Sequence, residues 1–149
     1  MRVARTDQRI PGLLGRALSL ELSAVQTYST QARLVATWGL DAAAGRLRQE
    51  ALEEMGHAER IIARMLALGV APNASQLRPA AVGPDLLTLL HADHAFEVEV
   101  VGLYTDAARI GGPDDRLFFQ TLLEEEIAHA HALVQWIAGL ERLADDDGP

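Results

Sequence analysis

Glu-x-x-His occurs twice in this chain, as Glu54–His57 and Glu126–His129. On a helix, residues three apart share one face, so each motif can aim a carboxylate and an imidazole at one point. Two such motifs, with a lone Glu from each of two further helices, make the ligand set of a two-metal carboxylate centre inside a helical bundle. The chain offers those lone acids at Glu21 and Glu97. Four buried carboxylates without counter-charge would be strongly unfavourable or would take up protons. Two divalent cations cancel their charge, and two neutral imidazoles complete the coordination. Oxygen-rich ligation with two His suits two iron ions, or manganese, better than structural zinc. In this arrangement Glu54 and Glu126 bridge the metals. Glu21 with His57, and Glu97 with His129, are the terminal ligands of one metal each.

Four helices must carry these residues to one level. The first is predicted over about 11–38, with Pro11 at its start, Gly39 after its end and a seam of Leu14, Leu18, Glu21, Val25, Tyr28, Ala32 and Val35. The second covers about 42–68, with Asp41 as N-cap and a seam of Leu47, Glu50, Glu54, His57, Ile61, Met65 and Leu68. Acids and a histidine inside an apolar stripe are a local conflict of the kind that marks function. The third covers about 85–110, with seam residues Leu90, His94, Glu97, Val101, Tyr104 and Ala108. The fourth covers about 114–143, with seam residues Phe119, Leu122, Glu126, His129, Leu133, Trp136 or Ile137, and Leu140. The tail 144–149 is expected to be disordered. Of the remaining histidines, His94 either approaches the site or is a hydrogen-bonded core residue, His91 and His131 lie near the surface, and none of the three is counted as a ligand.

The segment 70–84 holds three Pro and reads as a loop of about fifteen residues, long for a bundle connection. A 26-residue helix is ~39 Å long, and fifteen extended residues span ~50 Å. The loop can therefore run the length of the bundle and set the third helix parallel to the second. The expected fold is all-α, a single domain over 1–149 with one long crossover between two helical hairpins, which is the ferritin-like topology. Each hairpin puts a lone Glu on its first helix and Glu-x-x-His on its second, so the two halves read as distant copies.

Composition agrees. The 149 residues are 49% hydrophobic and 5% aromatic, enough for one core built from Leu, Ala, Val and Ile. The net charge of −8 argues against nucleic acid, which needs basic clusters. The absence of cysteine excludes disulfides, thiolate nucleophiles and iron–sulfur clusters. The start, MRVARTDQRI, has no apolar run after its basic residues, and no stretch approaches the ~18 apolar residues of a membrane span. A cytoplasmic protein is expected.

Further stretches carry a family resemblance: Glu21-Leu-Ser-Ala-Val-Gln-Thr-Tyr28, Ala32-Arg33, Trp38-Gly39-Leu40, Glu54-Met-Gly-His57-Ala-Glu-Arg60, Leu68-Gly-Val-Ala-Pro-Asn73 and Glu126-Ile-Ala-His129. The chain resembles the bacterioferritin branch of the ferritin-like superfamily up to about Leu143. The resemblance implies a ferroxidase: two Fe2+ bind, O2 or hydrogen peroxide oxidises them, and iron passes to a mineral inside a shell of 24 subunits. It implies haem b at a two-fold dimer interface with Met55 as ligand, where the bland reading is a packing Met. Tyr28 matches a tyrosine beside the family's di-iron centre; it serves either electron transfer or hydrogen bonding to a ligating carboxylate. The family's inner-surface His and Asp correspond here to Gln49 and Glu53, so that site is altered, and Glu50 matches an acid nearby.

The chain ends six residues after Leu143, so the family's short fifth helix is expected to be absent. Two readings follow. One is an iron-storing or iron-detoxifying ferroxidase in a large homo-oligomer. The other is a smaller, dimeric di-metal oxidase or peroxide reductase without a mineral store.

Overall fold

The computed structural model describes residues 7–147, and among them it forms four α-helices and no strand. These are α1 (Arg9–Thr37), α2 (Asp41–Ala67), α3 (Leu86–Ile110) and α4 (Pro113–Asp146). The expected all-α bundle forms because each segment is rich in good helix formers and carries an apolar stripe of period 3.6.

The ends follow local chemistry. Gly39 (φ 79°) and Gly69 (φ 73°) adopt the left-handed conformation just past α1 and α2. There Leu40 N–H donates to Val35 O at 3.1 Å, and Val70 N–H to Met65 O at 2.8 Å, closing both helices in Schellman fashion. Asp85 caps α3, its carboxylate accepting from Thr88 N–H at 2.8 Å. Asp41 differs from its expected role. It is the first helical residue, Leu40 occupies the cap, and the acid acts only through its charge in the first turn. Pro11 is the third residue of α1 rather than the first, still within the turn whose N–H groups have no helical partner. The tail also needs correction. α4 continues through Asp146, because no Gly or Pro interrupts 144–147 and Asp147 N–H still reaches Leu143 O at 3.1 Å. Residues 148–149 lie outside the described residues.

Short turns at 38–40 and 111–112 make α1/α2 and α3/α4 antiparallel hairpins. Gly111 is required at the second turn, since a Cβ there would lie 2.8 Å from the Cβ of Asp115. Contacts between α1 and α3 run in opposite senses: Gln31 meets Asp93, Tyr28 meets Glu97 and Glu21 meets Tyr104. The crossover thus leaves α3 parallel to α2, as its length allows. It is sewn along α1 by Gln76 N–H to Ser19 Oγ (3.4 Å), Arg78 N–H to Ser23 Oγ (2.9 Å) and Gln31 Nε2 to Ala81 O (3.0 Å).

Two apolar clusters fill the bundle. One gathers Ile10, Leu14, Leu18, Ile61, Met65, Phe119 and Leu122 at one end. The other gathers Val35, Ala44, Leu47, Leu89, Leu90, Leu133 and Ile137 at the other end. A layer of buried acids and imidazoles separates them. No helix among the described residues is long and apolar enough to cross a membrane.

Candidate metal centre

Glu21, Glu54, Glu97 and Glu126 are each at most 1% exposed, and His57 is 4% exposed. A carboxylate rarely reaches such burial unless it is paired or bound to a cation. The six expected residues come together from all four helices. One atom from each of Glu21, Glu54, His57 and Glu126 lies within 4.8 Å of the others, and the same holds for Glu54, Glu97, Glu126 and His129. Glu54 and Glu126 belong to both sets.

The contacts cross between motifs. His57 Nδ1 lies 2.6 Å from Glu126 Oε1 and 3.5 Å from Glu21 Oε1. His129 Nδ1 lies 2.8 Å from Glu54 Oε1. The two rings stack with centroids 5.8 Å apart. Their outer nitrogens meet a second pair of acids: His57 Nε2 is 2.9 Å from Glu125, and His129 Nε2 is 2.6 Å from Glu53. An outward partner on Nε2 fixes ring orientation and leaves Nδ1 facing the centre.

Two tyrosines complete the layer. Tyr28 O–H donates to Glu97 Oε1 at 2.8 Å, and Tyr104 O–H donates to Glu21 Oε1 at 2.5 Å. The second oxygens of Glu21, Glu97 and Glu126 have no hydrogen-bond partner although buried. Orphaned carboxylate oxygens around a common point fit a site for divalent cations.

Electrostatics point the same way. Burial disfavours charge on both imidazoles, but the facing carboxylates win: they raise His57 far above its usual range and His129 to about 10. Two imidazolium ions against four carboxylates leave two uncompensated negative charges. Burial and mutual repulsion accordingly push Glu54 and Glu126 up to about 8 and Glu97 well above the usual carboxylate range. For Glu21 burial again opposes charge, yet hydrogen bonds with Glu54 and His57 outweigh it and hold the carboxyl below its usual value.

Several residues fall elsewhere than expected. Burial on α3 selects Asp93 and Val100, while His94 and Val101 of the expected seam are only half-buried. As expected, His94 belongs to none of the metal-donor groups among the described residues. His91 and His131 are exposed, as expected. Met55 is half-buried and packs against the first apolar cluster. Glu50 sits at the edge of the layer, 3.6 Å from His129 Nδ1.

Sequence reasoning missed Tyr104 as a partner of Glu21, and it missed Glu125. The signal for Tyr104 was present, because Glu21–Tyr28 and Glu97–Tyr104 share a spacing of seven. Glu125 sits immediately before Glu126 as Glu53 does before Glu54.

The Ferritin-like domain family matches residues 12–143. Fold and buried layer together define a ferritin-like four-helix protein. The chain is 36% identical over 141 residues to the bacterioferritin of Rhodobacter capsulatus, covering 92% of this chain and 88% of that protein. It is 30% identical over 137 residues to the bacterioferritin of Brucella melitensis, covering 89% and 85%. The solved structure of the Rhodobacter capsulatus protein superposes with a TM-score of 0.87 at 35% identity, over 92% of this chain and 88% of that one. That structure is described as having a metal-free dinuclear site and haem iron in a crystallographic special position. The chain belongs to the bacterioferritin family.

Proposed function

We propose that the buried layer binds two Fe2+ as substrate and oxidises them, and that the chain acts as a bacterioferritin-like ferroxidase in iron storage or detoxification. The observation that carries this reading is the pair of four-donor sets sharing Glu54 and Glu126. Glu21 and His57 would hold one iron, Glu97 and His129 the other, with Glu54 and Glu126 between them. Each Fe2+ supplies one electron to the oxidant. The chain's part is to hold the pair close in a water-poor layer and to keep the ligands aimed. Tyr28 and Tyr104 do this for Glu97 and Glu21 by donating to one oxygen, leaving the other for the metal. Glu53 and Glu125 do it for the imidazoles.

Iron has a path on the α2/α4 face. A cavity of about 510 Å³ is lined by Glu53, His57, Arg60, Glu125 and His129, so it opens onto the outer edges of both imidazoles. Its acids suit a cation.

Haem is the cofactor of this reading. Met55 is partly exposed on α2, with exposed Leu52 a turn away, and a second copy of the chain would bring another Met55 to a shared axis. Haem iron held between two such methionines agrees with the special position described for the Rhodobacter capsulatus structure. Haem absorbance in the purified protein, lost in Met55→Leu, is the expected outcome; haem retained in Met55→Leu excludes this ligand.

The decisive experiment is mass in solution together with iron content after aerobic Fe2+ loading. A large shell holding hundreds of irons is the expected result. A dimer that stops at two irons per chain would replace storage with a smaller di-metal oxidase or peroxide reductase.

A further inference from the structure

A second cavity lies on the opposite side of the centre, between α1, α3 and the crossover. It measures about 100 Å³, room for about three waters at ~30 Å³ each. Ala24, Thr27, Tyr28, Ala92, Asp93 and Phe96 line it, with Arg78 among the crossover residues. Tyr28 connects it to the centre, since the same side chain donates to Glu97.

Asp93 is the unusual member. It is 2% exposed, and no role in the metal layer uses it. Its Oδ1 accepts from Gln31 Nε2 at 2.7 Å, but its Oδ2 is buried without a partner. Gln31 is wholly buried, and its Oε1 is a second orphan acceptor on the same hydrogen-bonded pair. Leaving buried acceptors unsatisfied is unfavourable. Such a site selects a small molecule that donates hydrogen bonds.

Charge and chemistry narrow the class. A divalent cation finds better donors on the α2/α4 face, where two acids and two imidazoles line the cavity. Here it would meet one carboxylate and a guanidinium, Arg78, held by Glu99 and set over the Phe96 ring at 5.6 Å. Dioxygen has no hydrogen to donate. Hydrogen peroxide donates two hydrogen bonds, is neutral and fits the volume.

We propose that this cavity is the port through which hydrogen peroxide reaches the Tyr28–Glu97 side of the centre, with Asp93, held by Gln31, as its acceptor. The proposal rests on the ferroxidase reading. The reaction it serves is 2 Fe2+ + H2O2 + 2 H+ → 2 Fe3+ + 2 H2O, in which the O–O bond breaks and each iron gives one electron. Iron and oxidant would then arrive from opposite faces. Asp93 is a positioning residue, because it touches the oxidant on its way and not the reacting iron.

The test uses the full chain loaded anaerobically with Fe2+, then mixed rapidly with either hydrogen peroxide or O2. Two variants are compared with the unaltered protein. Asp93→Asn replaces the orphan acceptor at constant shape, and Ala92→Phe obstructs the rim at an exposed position where folding is not at stake. Both are expected to raise KM for hydrogen peroxide about tenfold or more, with kcat, two-iron binding and the O2-driven rate within about twofold of the unaltered protein. Equal slowing with both oxidants overturns the port, since the substitutions would then act on the centre generally. No change with either oxidant also overturns it and leaves the cavity to water. Fewer than two irons bound by the unaltered chain overturns the ferroxidase reading itself, before any oxidant is added.

Discussion

The two halves of the metal centre use the same residue types and differ in what stands behind them. Each α4 member follows its α2 counterpart by 72 positions: Glu53 and Glu125, Glu54 and Glu126, His57 and His129. Each α3 member follows its α1 counterpart by 76: Glu21 and Glu97, Tyr28 and Tyr104. The correspondence stops at Arg60, whose counterpart is Ala132, and at Glu50, whose counterpart is Leu122. Behind His57, Glu125 is tied to Arg60. Behind His129, Glu53 has Gln49 at 3.5 Å as its one other partner among the described residues, and Glu50 adds a further acid. In the His57 half the outer acid is neutralised by a guanidinium. Both halves open onto the α2/α4 cavity, but the outer acids of the His129 half have no guanidinium tie like that of Arg60 to Glu125 among the described residues, and there Glu50, Glu53 and His129 form a third donor group. On the proposed assignment, duplicated ligands would make two unequal metal positions, with the inequality set by the outer charges.

The largest effect is expected from removing what the halves share. Glu54→Ala deletes a ligand of both positions and should weaken Fe2+ binding at both by at least about 100-fold, read by anaerobic titration. Normal binding of two irons in this variant would sink the site assignment. A variant losing only one iron would mean that Glu54 does not serve both positions.

The pH dependence of the metal-free chain comes next. Glu54 and Glu126, at about 8, hold protons in the folded state that the unfolded chain releases near its ordinary value of 4.5. Folded protein therefore binds more protons between these limits, and stability falls as pH rises through them. His129, raised to about 10 from 6.5, acts with the same sign at higher pH. Urea unfolding of chelated protein should lose several kcal/mol, as an order of magnitude, between about pH 5 and 9. Iron loading should flatten the curve. A metal-free chain that gains stability over this range would contradict the buried-acid account.

Two conservative substitutions then sharpen the contrast directly. Glu21 is held ionised beside His57, whereas Glu97 favours its proton. Glu21→Gln leaves an imidazolium short of a partner and should cost the metal-free chain about 3 kcal/mol. Glu97→Gln mimics the protonated acid and should cost under about 1 kcal/mol. Equal losses in denaturant titrations would erase this difference between the halves.

The smallest effect is expected at the periphery. Arg60→Ala frees Glu125 and makes the His57 half resemble the other, so iron bound there should exchange several-fold faster. Glu53→Ala should instead slow uptake at the His129 half by about tenfold, within the range for residues that support a ligand. Metal-exchange kinetics that respond equally to both substitutions would show that the outer charges do not distinguish the positions.

Sequence periodicity made much of this legible. Spacing of three put Glu54 with His57 and Glu126 with His129, and the apolar stripes placed both motifs in helices that face the core. The long Pro-rich segment implied the crossover, and Gly39 and Gly69 marked helix ends through the left-handed conformation they adopt. Other features were hidden because they depend on how far each helix rotates about its axis. On α3 a small rotation buries Asp93 in place of His94, and hydropathy cannot foresee it because both residues are polar. Asp41 looked like a cap because the sequence shows its type but not the backbone angles of Leu40 beside it.

Short-range spacing along one chain was enough to show the helices, their order and the acids and imidazoles they carry. Only the tertiary structure decided which ligand meets which. Glu126 reaches His57 across 69 residues, Tyr104 reaches Glu21 across 83 and Gln31 reaches Asp93 across 62. Packing sets those pairings, since side chains on different helices meet only where rotation and register of whole helices bring them level. The unequal surroundings of His57 and His129 and the cavity beside Asp93 belong to that second category.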